Sequence, residues 1–345
     1  MKKLSLILFV LISSQLTFAQ YSDGGSYMNA ISKEYRSIQE DMWEYTNAAS
    51  HGKKASTVEK LRAQLEQTAY SAKGKVSRMG DYEGNSAYRD SVVSFLNIYY
   101  IVLKEDYAKI VDMEAIAEQS YDLMEAYMLA KEEANNKLSA ASDMLDKEQE
   151  KFAKEFDVEL ITEEDDLSKK MAKADKVYGY YNDIYLIFFK SYIQDIYLTE
   201  AISKGDVGAI EQNKSALEAT ADEGLMKLKS ITSFDGDMSV VQACQDVLRF
   251  YKDEAKNKIK VITDYYLKAE NFQTIQKSFE AKKEKDRTQE DIDQYNKAVN
   301  ESNEAGAKYN ETIAVLNKDR EDKLNNWNRT VAKFTDKHVP KGKAK

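Results

Sequence analysis

The chain has 345 residues with 59 acidic against 50 basic side chains, and a net charge of −9 without a basic cluster argues against nucleic acid or an anionic membrane surface as a partner. Its single cysteine, Cys244, excludes an intramolecular disulfide framework, so stability has to come from packing. The only proline is Pro340, and the long proline-free run before it, rich in Ala, Lys, Glu, Leu and Gln, predicts an all-α protein.

Residues 1–19 read as a secretory signal peptide. Lys2 and Lys3 precede the apolar run 4–12, and Thr17, Phe18 and Ala19 supply a small-residue cleavage site before Gln20. The run is too short to span a bilayer, so the mature chain is expected to be exported to the periplasm, the outer surface or the medium, with no transmembrane span.

Four helices are predicted after it, near 26–50, 57–79, 86–113 and 115–157. The first interleaves Ile31, Tyr35, Ile38 and Met42 with Lys33, Glu34, Arg36 and Glu40, an amphipathic pattern. Ser56 and Glu59 suggest a capping box opening the second. The third carries the clearest stripe, Val92, Leu96, Tyr99, Leu103, Tyr107 and Ile110, spaced 4, 3, 4, 4 and 3 on one face.

The pattern then recurs near 164–203, 207–231, 238–269 and 272–335, with Thr162 as the expected N-cap of the first of these helices. The matching stripe is Cys244, Leu248, Tyr251, Ala255, Ile259 and Ile262. Segment 177–198 keeps only Asp183, Lys190 and Asp195 charged, and a helix apolar nearly all round belongs in the middle of a molecule. A charged stretch near 277–295, with Thr288 capping a new helical start, is expected to form an exposed extension; a basic tail, 336–345, follows.

The two halves align without a gap at a separation of 152 residues, pairing Tyr82 with Phe234, Gly84 with Gly236, Leu96 with Leu248 and Tyr99 with Tyr251. Upstream the separation is 153, pairing Gly52 with Gly205; downstream it is 171, pairing Glu133 and Ala134 with Glu304 and Ala305 and Phe156 with Trp327. The fold expected is a tandem duplication of a four-helix-bundle-like unit with long helices, 20–160 and 161–335, docked through 177–198 into one elongated body.

Few residues invite chemistry. Cys244 stands in a buried stripe, where cysteine behaves as a small hydrophobe. His51 and His338 lie in a turn and in the tail, neither in a Glu-x-x-His pair, so no metal and no cofactor is expected. Segments 80–85 and 233–237 set acids beside glycine but lack the distal glutamate of a calcium loop. They read instead as turns, with Gly84 and Gly236 reversing the chain, Asn85 and Asp237 capping the next helix, and Tyr82 and Phe234 plugging the bundle end. Asp90, Ser91 and Val92 fit a short acid, hydroxyl, aliphatic pattern used for O-glycosylation. Among 23 tyrosines, those crowding 177–198 are the candidates for a partner or ligand surface, specifically Tyr181, Tyr185 and Tyr192 with Phe189.

The stretches 88–95 (YRDSVVSF), 110–130 (IVDMEAIAEQSYDLMEAYMLA), 185–192 (YLIFFKSY), 294–301 (QYNKAVNE), 325–328 (NNWN) and 336–341 (DKHVPK) resemble an uncharacterised family of all-helical secreted and surface proteins of Gram-negative bacteria. The resemblance spans essentially the whole mature chain. It implies export and envelope or surface residence, and brings no catalytic residue with it. The function expected is a non-enzymatic interaction or structural module with an envelope or surface protein as partner; the alternative is a solute-binding protein with an aromatic pocket between the two units.

Overall fold

The computed structural model describes residues 21–51, 53–160 and 165–342. The expected signal peptide and the Thr162 cap fall outside them. Within the described residues every regular element is helical: α1 (Gly24–Ser50), α2 (Ala55–Val76), α3 (Ala87–Ile101), α4 (Tyr107–Ala117), α5 (Tyr121–Glu155), α6 (Asp166–Lys204), α7 (Val207–Lys227), α8 (Ser239–Asp253), α9 (Ile259–Ala281) and α10 (Gln289–His338). Two π-turns, Val102–Asp106 and Glu254–Lys258, join α3 to α4 and α8 to α9 without a break.

Both apolar stripes run through their π-turns, and their steps of 4, 3, 4, 4 and 3 cover 18 residues in five turns, the ordinary helical period. All six residues of the second stripe are fully buried.

Short side chains set most helix starts. Asp23 and Ser26 form a reciprocal capping box at α1, Ser120 caps α5, Asp165 caps α6, Asp206 caps α7, and Thr288 and Asp291 form a second capping box at α10. Ser56 is not a cap: α2 already begins at Ala55 with no side-chain cap, and Glu59 is held by Arg62 at 2.7 Å instead. The helix expected to end near 113 continues to Ala117, and the helix expected over 272–335 is two helices, because α9 runs on to Ala281 before α10 starts.

Each half closes one end of its bundle in the same way. Glu83 and Gly84 (φ 48° and 84°), like Asp235 and Gly236 (φ 49° and 81°), have the paired positive φ of a type I′ turn, which brings Tyr82 onto Asn85 and Phe234 onto Asp237. Asn85 and Asp237 then accept from the backbone N–H of Ala87 and Ser239, both at 2.9 Å. Tyr82 meets Tyr27, Phe152 and Phe156, with ring centroids 4.9 to 5.9 Å apart. Phe234 meets Tyr180, Phe334 and His338 at 5.2 to 5.7 Å. In space Phe152 therefore answers to Phe334 and Phe156 to His338, a separation of 182 residues. Trp327, aligned in sequence with Phe156, stacks on Phe188 at 4.5 Å rather than joining the ring cluster at the bundle end.

The segment 177–198 lies inside α6, and α6 is central. Its Val177, Ile184, Phe188, Ile193 and Leu198 share one buried cluster with Trp43 of α1, Ala117 of α4, Met124 of α5 and the apolar faces of α7 to α10. Tyr178 donates to the Ser50 hydroxyl, and Tyr197 donates to the Gln119 carbonyl at 3.0 Å. A second cluster fills the space among α1, α2, α3 and α5 around Tyr27, Leu65, Leu96 and Phe152. Beyond the cores α9 and α10 continue as a paired arm whose tip, 282–290, is almost wholly exposed. Phe279 on Tyr295 at 4.6 Å and Arg287 over Phe279 at 4.4 Å clasp that tip.

Candidate functional site

The four residues expected to form a partner or ligand surface stand on α6 with little of their surface open to solvent. Phe189 is inside the core, and Tyr181, Tyr185 and Tyr192 are half-buried, with Tyr185 packed against Tyr181, Phe188 and Phe189 at 5.5 to 6.1 Å. Burial pushes the Tyr185 phenol up to about 12 and raises the other two, so all three stay neutral hydroxyls. The band is packing for α6. Cys244 is likewise buried, and burial raises its thiol far above the reactive range.

An ionic cluster inside the second core has the most distinctive chemistry. Arg320 of α10 donates through Nε and Nη2 to both oxygens of Asp195 on α6, at 2.8 and 3.0 Å, a bidentate pair. The same Nη2 donates to Glu254 Oε1 at 2.5 Å, at the start of the second π-turn. Asp195 is 2% exposed, while Glu254 and Tyr251 are sealed. Glu254 Oε2 and the Tyr251 hydroxyl have no partner. Burial and the neighbouring Asp195 carboxylate push Glu254 up to about 8 against the pull of Arg320, and burial raises Asp195 as well. No substrate reaches these groups.

Sequence reasoning did not assemble this cluster, although it held one clue. Asp195 is one of three charges in an otherwise apolar helix, and a lone carboxylate there needs a partner. Arg320 lies 125 residues further on with nothing local to mark it.

Two concavities open to solvent. The larger, about 600 Å³, is a groove between α3 and α5 lined by apolar Phe95, Ile98, Ala141 and Met144, by Ser91 and Ser94 from α3, and by Lys147, Lys151 and Lys154 interspersed with Glu148 and Glu150 from α5. Lys151 is tied to Glu148 at 2.5 Å, and Met144 is 55% exposed. Ser91, the hydroxyl of the short glycosylation pattern, is half-buried in this groove. The smaller, about 260 Å³, lies where Tyr121 of α5 faces α6 and α7. There Glu223 holds Lys190 and Lys227, both at 2.8 Å, and Lys190 sits over the Tyr121 ring.

Among the described residues no group of three or more His, Cys, Asp or Glu converges on a metal position, and no helix is long and apolar enough to cross a membrane. His338 is engaged by Asp237 at 3.0 Å; although burial opposes ionisation, Lys337, His338 and Ser239 hold the Asp237 carboxyl well below its usual range. Compared with known proteins, the chain matches no family model, no curated protein and no solved structure.

Proposed function

We propose that the chain is an exported envelope or surface protein that acts as a non-enzymatic interaction module, built from two related helical units docked through α6 into one elongated body. The observation that carries the reading is the groove between α3 and α5. Its apolar side chains, hydroxyls and mixed charges are groups that hold a partner, whereas the strongly perturbed acids lie sealed in the second core. A photo-crosslinking residue at Met144, on the groove, is expected to capture one recurrent envelope partner in living cells, and the same residue at Met226, 69% exposed on α7, is expected not to. Identical capture from both positions, or no capture from Met144, would overturn it. Export has its own check: the intact mass of the native protein is expected to begin at Gln20, and a mass that retains residues 1–19 contradicts it.

The tandem reading is supported by the recurrence of three local devices: the type I′ turn, the π-turn and the ring cluster at the bundle end. On this reading the second unit differs by an inserted hairpin, 272–301. Removing it would join Ala269, Glu270 and Asn271 to Ser302, close to the first unit's Ala117, Glu118, Gln119 and Ser120.

A second reading, solute binding at the seam, is favoured by the lysine-rimmed hollow beside Tyr121. Its 260 Å³ lies below the usual range for ligand sites, roughly 300–1,000 Å³, so only a small solute suits it. A melting temperature unmoved by a library of small solutes would remove this reading.

A further inference from the structure

The second core contains more acid than base at one point. Arg320 supplies a single positive charge to two carboxylates, both closed to solvent, and one oxygen of the pair, Glu254 Oε2, has no donor. If both carboxylates were ionised, a net negative charge would stand in an apolar interior, and one acid protonated removes it. Among the described residues Arg320 is the cation recorded in an ion pair with either carboxylate. Facing Glu254 are Asp195 from α6, Arg320 from α10 and Tyr251 from α8, and Tyr251 in turn neighbours the half-buried Tyr192 of α6. From α7 comes Glu218, committed to Lys256 at 3.2 Å on the outer face.

The location gives the charge a mechanical consequence. Asp195 belongs to the central helix, Glu254 opens the π-turn between α8 and α9, and Arg320 belongs to α10, so the cluster ties the root of the α9–α10 arm to the body. We propose that the Asp195–Glu254–Arg320 cluster is a proton-dependent latch: one proton shared by the acid pair keeps the arm root clamped, and its loss to solvent loosens the α8–α9 junction. On the tandem reading the counterparts of these three residues are Met42, Val102 and Leu138, all apolar, so the first unit is expected to have no such device.

The pH window follows from the direction of the shift. A carboxyl that holds its proton more tightly in the fold than in the unfolded chain stabilises the fold fully below its unfolded value, about 4.3. That contribution is lost progressively as pH rises through the folded value of about 8. The native chain is therefore expected to melt roughly 5–10 °C lower at about pH 8.5 than at about pH 5, and Glu254→Gln, which keeps the shape and removes the titration, is expected to lose most of that dependence.

Hydrogen–deuterium exchange separates a latch from a merely titrating core. After correction for intrinsic base catalysis, segments 252–262 and 313–324 should lose about tenfold in protection between about pH 6 and pH 9. The first-half segment 92–103 should not, and Glu254→Gln should abolish the difference. Equal pH slopes in the two halves, or an unchanged slope in the variant, would overturn the proposal. Should Glu254→Gln fail to fold, carboxyl NMR of the native chain decides: a Glu254 signal titrating near pH 8 supports the latch, and one titrating near pH 4 refutes it.

Discussion

Arg320 brings one guanidinium to two buried carboxylates, and the comparison with Met42, Val102 and Leu138 makes its energetic role testable. Removing one member of a buried ionic group leaves the others uncompensated, whereas replacing the whole group with well-packed apolar side chains is often neutral or stabilising. Arg320→Ala is expected to cost roughly 3–5 kcal/mol in urea unfolding, while the triple change Asp195→Met, Glu254→Val and Arg320→Leu is expected to cost little or to stabilise. A triple variant as damaged as the single one would mean that the first-half residues are not the spatial equivalents. Gly224 presents a steric case of the same kind. A Cβ there would lie 2.7 Å from Leu248 Cδ1 and 3.0 Å from Ile187 Cγ2, so at this point α7 approaches α6 and α8 closely because this residue has no side chain. Gly224→Ala is expected to destabilise by about 1–3 kcal/mol through overpacking, measured by the same unfolding curves.

At the scale of single elements, what could be read from the sequence depended on how much apolar surface marked it. The stripes of α3 and α8 were legible residue by residue, whereas the π-turns they run through left no mark in a spacing that is the ordinary helical one. The central place of α6 was legible because a nearly uncharged helix has no face to offer water. Cap positions were less so, since Ser, Thr and Asp crowd the same short loops: Ser56 was read as the cap of α2, which starts at Ala55 without one. For the aromatic band on α6, period and composition do not distinguish a tyrosine against a neighbouring helix from one against solvent; in the structure Phe189 is buried and Tyr181, Tyr185 and Tyr192 are half-buried. The two type I′ turns test the elements as equivalents. Gly84 and Gly236 both have positive φ with open space where a Cβ would be, so the cost of Gly84→Ala and Gly236→Ala is conformational alone. Each is expected to cost about 1 kcal/mol, and a large inequality between them in unfolding measurements would count against a common design.

At the scale of the whole molecule, the register of the last helices was the part least open to sequence reasoning. α10 is long, charged and sparsely apolar, so matches such as Ala134 with Ala305 set a separation of 171, whereas the ring contacts of Phe334 and His338 require 182. The difference enlarges the exposed extension from a charged loop near 277–295 to a helical hairpin, 272–301, that contributes only Ala298 to the buried residues. The central claim is that one cooperative body has been made from two units of one kind, with this hairpin added to the second. Calorimetry of the chain lacking 272–301 tests it most directly. The account predicts one cooperative transition within about 5 °C of the full-length protein, because the excision touches little of either core; two separate transitions, or no transition at all, would contradict it.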